Sequence, residues 1–257
     1  MTDTEATNDR FSPITNPGEW LVWLDLDDTL WDFRGNSHES LIELYHHLDL
    51  NRFWNSEQEW IEHYHRVNSA LWALYAPGEI SRDTLRHDRF FIPFVENGMS
   101  EDEAERLVPE ADRYYLERLG RRDQLVPGAK ELIDRLIARG FRLGVLSNGF
   151  KEVQYNKLRS SGLDSMIDIV VLSDEIDVNK PDIRLFRHAE ERASVSASRC
   201  IMIGDNPETD ILGALKSGWK AIWYNPDNLP LPDNVRLVSS SNHHALGVVS
   251  SLDNIIL

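Results

Sequence analysis

From residue 127 to residue 224 the chain alternates short apolar runs with helix-like stretches, and this rhythm restricts its architecture more than any other feature. A helix over 129–139 is stopped by Gly140, and the strand 141–146 follows. A helix over 151–160 is stopped by Gly162 and gives way to the strand 167–172. A helix over 182–193, the strand 200–203, a helix closing at Gly218 and a final strand over 220–224 complete the series. Strands alternating with helices at this interval imply βαβ units, a parallel sheet and right-handed crossovers. The earlier run Trp20-Leu21-Val22-Trp23-Leu24 reads as a strand buried on both faces, as in the middle of such a sheet.

Between these two regions lie about 90 residues with helical patterning and no convincing strand. Asn36-Ser37 is expected to cap a helix to Leu48, with Leu41, Leu44 and Leu48 on one face. Ser56 and Glu59 form a capping box opening a helix to Tyr75, along which Trp60, Tyr64, Val67, Leu71 and Leu74 recur at helical spacing. Ser81 caps a third helix to Glu96, and Ser100 opens a fourth to Leu119. The predicted organisation is an α/β core with a Rossmann-like parallel sheet, residues 19–33 and 124–257, interrupted by a helical insert over 34–123. Residues 1–18 read as a flexible extension. An insert leaving from the carboxyl edge of the first strand is expected to lie over whatever site that edge holds, as a lid or cap.

In open α/β sheets the chemistry sits just beyond the carboxyl ends of the strands. Polar groups stand at four of those ends. Asp25, Asp27 and Asp28 follow the first strand, Ser147-Asn148 the second, Lys180 the third, and Asp205 with Asp210 the fourth. Each cluster alone has a plain explanation: an acidic turn, a Ser-Asn-Gly turn, a solvated Lys-Pro loop, a helix cap. Four such clusters at consecutive strand ends point to one crevice. Crowded carboxylates repel, so a cation is expected to share the space.

Asp25-Leu26-Asp27-Asp28-Thr29, the serine after the second strand, Lys180-Pro181, and Gly204-Asp205 with Asp210 resemble the four ordered motifs of the haloacid dehalogenase-like hydrolase superfamily. The helical insert resembles that superfamily's α-helical cap class. The resemblance spans about residues 20–250. It implies a phosphomonoester hydrolase in which Asp25 is the nucleophile, forming an aspartyl-phosphate, and Asp27 is the general acid–base. For Asp27 to donate a proton, crowding by neighbouring carboxylates is expected to favour its protonated form. By the same resemblance Mg²⁺ is held by Asp25, the Asp27 carbonyl and Asp205, with Asp210 behind them orienting Lys180 or a metal-bound water. Ser147 and the Asn148 backbone N–H are implied to bind the phosphoryl group, and Lys180 to neutralise its charge. Dehalogenating members lack a carboxylate at the position of Asp27, because halide departure needs no proton.

A narrower resemblance, to the YjjG-like pyrimidine 5′-nucleotidase subfamily, rests on the run from Asp25 to Phe33 and on the stretch 67–82. The segment 85–90 and Ser147-Asn148-Gly149-Phe150 belong to it too. It implies a nucleoside 5′-monophosphate substrate and makes Asn68, Trp72 and Arg89 candidates to line the pocket from the insert. Trp72 also fits the apolar stripe of its helix, and Arg89 also fits a solvated surface. Many relatives carry glycine three residues before the motif lysine, where this chain has Asp177. With Asp174 and Glu175 it is expected to add negative charge to the rim. The rival readings are a phosphatase of small metabolites such as phosphoglycolate or a sugar phosphate, a 2-haloacid dehalogenase, and a regulatory protein that accepts phosphate without turnover.

Composition sets outer limits. Lys plus Arg number 27 against 43 Asp plus Glu, a formal net charge of −16. Such a chain has no general affinity for nucleic acid polymers and is repelled by anionic membranes. Any phosphate site must therefore be made locally positive by a metal, a lysine or backbone amides. The single cysteine, Cys200, lies in an apolar run and is expected to be a buried small hydrophobe. No stretch reads as a signal peptide or a membrane span, so a cytoplasmic location is expected. The sequence leaves oligomeric state and physiological substrate open.

Overall fold

The structure, a computed structural model of the chain, describes residues 14–240 and 246–257. The chain forms two compact units, one running to Asp32 and resuming over Gln124–Leu257, the other Phe33–Asp123. Of the extension expected over 1–18, residues 1–13 lie outside the described residues. Ile14 is buried, and Pro17–Glu19 makes one 3₁₀ turn before the first strand.

Strand β1 is Leu21–Leu24, and none of its four apolar side chains is exposed. The chain then enters the helical unit, α1 (Phe33–His47), α2 (Glu57–Tyr75), α3 (Arg82–Glu96) and α4 (Glu101–Leu119). Ser56, Ser81 and Ser100 cap the last three, each hydroxyl accepting the N–H three residues on, at 3.2, 3.0 and 3.3 Å. Each such cap contributes about 1 kcal/mol. The reciprocal half of the box at Ser56 is displaced by one residue, because Glu59 Oε2 accepts from Asn55 N at 2.9 Å. The cap expected at Asn36-Ser37 is not one. Helix α1 begins at Phe33, which places both residues inside it, buried, with Ser37 Oγ 2.9 Å from the Tyr115 hydroxyl of α4. Small polar residues here allow close helix packing rather than a helix start. The unit's core is aromatic, with Trp60 stacked on Phe94 at 5.8 Å and Tyr64 against Phe90 at 5.2 Å.

Exit from and return to the α/β unit are side by side. Asp32 N donates to Gln124 O at 3.1 Å, Gln124 Nε2 donates to Asp32 Oδ2 at 2.8 Å, and Val126 N donates to Leu30 O at 2.9 Å. From there the order is α5 (Ala129–Ala138), β2 (Arg142–Ser147), α6 (Lys151–Ser160), β3 (Ile169–Leu172) and α7 (Ile183–Ala193). Next come β4 (Cys200–Gly204), a π-type turn at Pro207–Ile211 continuing as α8 (Leu212–Lys216), and β5 (Lys220–Tyr224). The series closes with α9 (Asp233–Ser240) and β6 (Leu246–Val249). The strand over 220–224 is therefore not the last, since β6 pairs with β5 at the sheet edge.

All pairings are parallel, in the order β3-β2-β1-β4-β5-β6. Helical crossovers cover such a sheet on both faces, which is why β1 and β4 are apolar at every position. Trp23 stacks on Trp219 at 5.8 Å, and Phe186 meets Trp219 edge-on at 5.1 Å. Each buried tryptophan of this kind is worth roughly 4–6 kcal/mol of apolar burial. Strand order reverses between β1 and β4, which opens a crevice at their carboxyl ends. Cys200 is buried, as its apolar flanks imply.

Candidate active site

Asp25 directly follows β1, and its N–H still pairs with Ile203 O of β4 at 2.9 Å, so the sheet fixes its backbone. The Lys180 ammonium arrives from the loop after β3. It lies 2.6 Å from Asp25 Oδ1, 2.7 Å from Asp210 Oδ1 and 2.8 Å from Leu146 O, and is almost wholly buried. Asn148, at the end of β2, grips the lysine's main chain from both sides. Its Oδ1 accepts from Lys180 N at 2.7 Å and its Nδ2 donates to Lys180 O at 3.1 Å. Asp205 follows β4. Thr29 Oγ1 donates to its Oδ1 at 3.1 Å and accepts its N–H at 2.9 Å, joining the loops after β1 and β4. Gly204 has to be glycine, because a Cβ there would overlap the Asp210 carboxylate.

Asp27 is anchored separately. Lys157 Nζ donates to its Oδ1 at 2.6 Å and Gln154 Nε2 to its Oδ2 at 2.9 Å. The same Gln154 amide donates to Ser147 Oγ at 2.7 Å, and Gly149 N donates to that oxygen at 3.2 Å. The side-chain partners of Asp27 are thus a cation and an amide rather than the crowding carboxylates expected of it. Asp25, Asp27, Ser147, Asn148, Lys180, Asp205 and Asp210 all belong to the α/β unit, around the carboxyl ends of β1, β2 and β4.

The electrostatics follow from three acids around one buried ammonium. Carboxylate oxygens of Asp25, Asp205 and Asp210 lie within 4.8 Å of one another. Burial pushes Asp25 up to about 7, with Asp210 and Asp27 adding to the rise and Lys180 opposing it. Loss of water also holds Asp205 well above the usual carboxylate range, reinforced by Asp210 and Asp25. Burial alone would lower Lys180, but Asp210 and Asp25 outweigh it and hold its ammonium above the usual range.

A sequence model of the family described as "haloacid dehalogenase-like hydrolase" matches residues 21–218, most of the chain. The chain belongs to the haloacid dehalogenase-like hydrolase family. It is similar to the pyrimidine 5′-nucleotidase YjjG of Escherichia coli K12, with 30% identity over 221 residues, covering 84% of this chain and 90% of that protein. It is 31% identical over 210 residues to the pyrimidine 5′-nucleotidase PynA of Streptococcus pneumoniae, covering 81% and 85%. Among solved structures, the magnesium-bound crystal structure of the putative hydrolase YfnB from Bacillus subtilis superposes with a TM-score of 0.75 at 26% identity, covering 91% and 96%.

The donor set of this hydrolase fits a small divalent cation. It is all oxygen, the choice of a hard ion such as Mg²⁺. Both Asp210 oxygens already accept from Lys180 and from Asn206 N, whereas no hydrogen bond among the described residues reaches Asp25 Oδ2 or Asp205 Oδ2. Three carboxylates facing one ammonium leave an excess of negative charge that such an ion offsets.

The residues singled out in the insert lie in the helical unit. Asn68 is buried and its Oδ1 takes no hydrogen bond among the described residues. Trp72 is half-buried and edge-on to Tyr75 at 5.4 Å, so it is not part of the helical core. Arg89 is not a solvated charge. It is buried, paired with Asp112, and its guanidinium lies 5.2 and 5.3 Å from the ring centres of Phe90 and Tyr115.

The acidic rim in the α/β unit is largely committed. Asp174 accepts from Lys151 N at 2.9 Å at the start of α6, and Glu175 pairs with Arg192 and His188. Asp177 has a φ of 52°, in the left-handed region that favours glycine and tolerates aspartate. The exchange of glycine for aspartate is explained by this backbone conformation. Thr29 stands in the sequence motif without an assigned role, and Gln154 and Lys157 belong to no motif. The signal for the last two is a polar pair three residues apart, flanked by Val153 and Leu158 on the inner face of an otherwise amphipathic helix.

Proposed function

We propose that this hydrolase is a Mg²⁺-dependent phosphomonoesterase whose substrate is a nucleoside 5′-monophosphate. The observation that carries the reading is the pair Asp25 and Asp27, two residues apart, the first bound to a buried ammonium and the second held apart from it on its own partners. The two pyrimidine 5′-nucleotidase relatives support the substrate class.

Asp25 attacks phosphorus, and the bond to the leaving oxygen breaks as the aspartyl-phosphate forms. Asp27 gives its proton to that oxygen, releasing the alcohol. It then takes a proton from water as the water attacks phosphorus and the bond from phosphorus to the Asp25 oxygen breaks, which regenerates the Asp25 carboxylate and releases inorganic phosphate. Ser147 Oγ already accepts two hydrogen bonds, so its own hydrogen is left to donate to a phosphoryl oxygen. The Asn148 N–H is the second donor. Lys180 balances charge on the transferring group, and Asp210 holds its ammonium in place. Asp25, Asp205 and the Asp27 carbonyl would hold Mg²⁺, which when bound supplies positive charge against the phosphoryl oxygens. A small soluble substrate and a cytoplasmic location go with this reading. Among the described residues no helix is long and apolar enough to cross a membrane.

The test is phosphate release from a panel of nucleoside 5′-monophosphates, phosphoglycolate and sugar phosphates with Mg²⁺. Pyrimidine nucleotides are expected to give the highest kcat/KM, and Asp25→Asn to abolish turnover. Wild-type rates in Asp25→Asn would remove the nucleophile. A higher kcat/KM for phosphoglycolate or a sugar phosphate would remove the nucleotide.

A further inference from the structure

Helix α6 packs a lysine where its pattern calls for an apolar residue. Val153 and Leu158 are buried on its inner face, and Gln154 and Lys157 between them are just as buried. A buried ammonium is costly unless paired, and a buried amide unless hydrogen-bonded. The lysine's charge and the amide's N–H group are met by the same target, while Gln154 Oε1 accepts no hydrogen bond among the described residues. Lys157 takes one oxygen of Asp27 and Gln154 the other, from positions three apart that share one helix face. The Lys157 ammonium also lies 4.5 Å from the centre of the Trp31 ring, a face that holds a cation without competing for its protons. Gln154 is placed in turn by Ser147, and a Cβ on Gly149 would overlap its amide, so the loop after β2 is shaped to admit it. Among the described residues, two buried lysines thus serve the site's carboxylates separately. Lys180 serves Asp25 and Asp210, and Lys157 serves Asp27.

We infer that Gln154 and Lys157 are positioning residues for proton transfer, fixing the Asp27 carboxyl group by both oxygens so that it meets the leaving-group oxygen in one orientation. The inference rests on the acid–base role assigned to Asp27 above. An aspartate has two free side-chain torsions, and the efficiency of a general acid depends on holding its geometry through the transfer. Two bonds from one rigid helix remove that freedom. The Gln154 bridge to Ser147 further ties the orientation of the acid to the residue assigned to bind the phosphoryl group.

Leaving groups decide the matter. Phenyl phosphate needs its departing oxygen protonated, whereas dinitrophenyl phosphate releases a stable anion unaided. The value of kcat/KM covers the steps through transfer to Asp25 and excludes the later attack of water. Lys157→Met and Gln154→Met are expected to lower kcat/KM about 100-fold on phenyl phosphate and less than about 5-fold on dinitrophenyl phosphate, within the range of general acid catalysis. Asp27→Asn should show the same asymmetry, larger. Equal losses on both substrates, or none, would overturn the positioning role while leaving Asp27 as the acid. Symmetric losses in Asp27→Asn itself would remove the acid–base reading and this inference with it. Thermal melts accompany each variant, and if Lys157→Met does not fold, the uncharged Gln154→Met decides by the same criterion.

Discussion

Lys180 Nζ lies 2.6 Å from Asp25 Oδ1, and both side chains are nearly closed off from solvent. A lone carboxylate at that depth would be strongly destabilised. The ammonium keeps part of its charge available for attack on phosphorus while drawing Asp210 into the same cluster. The pair therefore has consequences for stability as well as for turnover.

Removing the ammonium exposes them. Lys180→Met is expected to leave two buried carboxylates without their partner and to lower stability by about 3–5 kcal/mol. Its kcat should fall at least ~100-fold. Urea denaturation and steady-state phosphate release measure the two effects, and a variant as stable and active as wild type would contradict the assignment.

A pH dependence follows from Asp25. Its pKa in the folded metal-free protein is raised from 3.8 to about 7, so folding favours the protonated form. The stability it contributes is full below pH 3.8 and is lost as pH rises through about 7. In EDTA the melting temperature of the wild type should therefore fall, relative to Asp25→Asn, between those limits and level off above them. A wild-type melting temperature that rises relative to Asp25→Asn between those limits would have the wrong sign.

Metal removal gives a separate readout. At a Mg²⁺ concentration 100 times its dissociation constant, binding to the folded chain alone adds about 2.7 kcal/mol. Mg²⁺ is expected to raise the melting temperature at pH 8, chelation to abolish turnover, and Asp205→Asn to remove the Mg²⁺-induced shift. Titration calorimetry on the same variant checks that affinity, not folding, was lost.

Arg89 tests the helical unit. Breaking its buried pair with Asp112 by Arg89→Met should cost less than the about 3–5 kcal/mol of a pair that leaves an uncompensated charge, because Asp112 keeps its contact with Arg86. The double variant Arg89→Met with Asp112→Leu should recover part of that loss in urea denaturation. A single variant with unchanged stability would show that the pair is not structural.

Much of the α/β unit was legible because its signals are local. Four apolar residues in a row at Leu21–Leu24 end in Asp25, and parallel strands can only bring such ends to one edge. Ser56, Ser81 and Ser100 announced helix starts because a serine hydroxyl satisfies an N–H that nothing else reaches. What escaped depended on tertiary context. Strand β6 is only Leu246–Val249 with Gly247 inside it, and it is a strand because β5 offers an unpaired edge. Gln154 and Lys157 belong to no motif in the sequence, and only the packing of α6 turns them inward onto Asp27. Asn36 and Ser37 read as a cap because the pattern cannot show that Phe33 already lies inside the helix.

The stitch between Asp32 and Gln124 makes the detour through the helices topologically inexpensive. Closing an excursion whose ends already touch costs entropy that grows only with the logarithm of its length. A longer, shorter or wholly different excursion could thus be spliced between those two residues with little change to how the sheet assembles. Such a hydrolase is free to diversify its inserted segment while the carboxylates at the strand ends stay where they are.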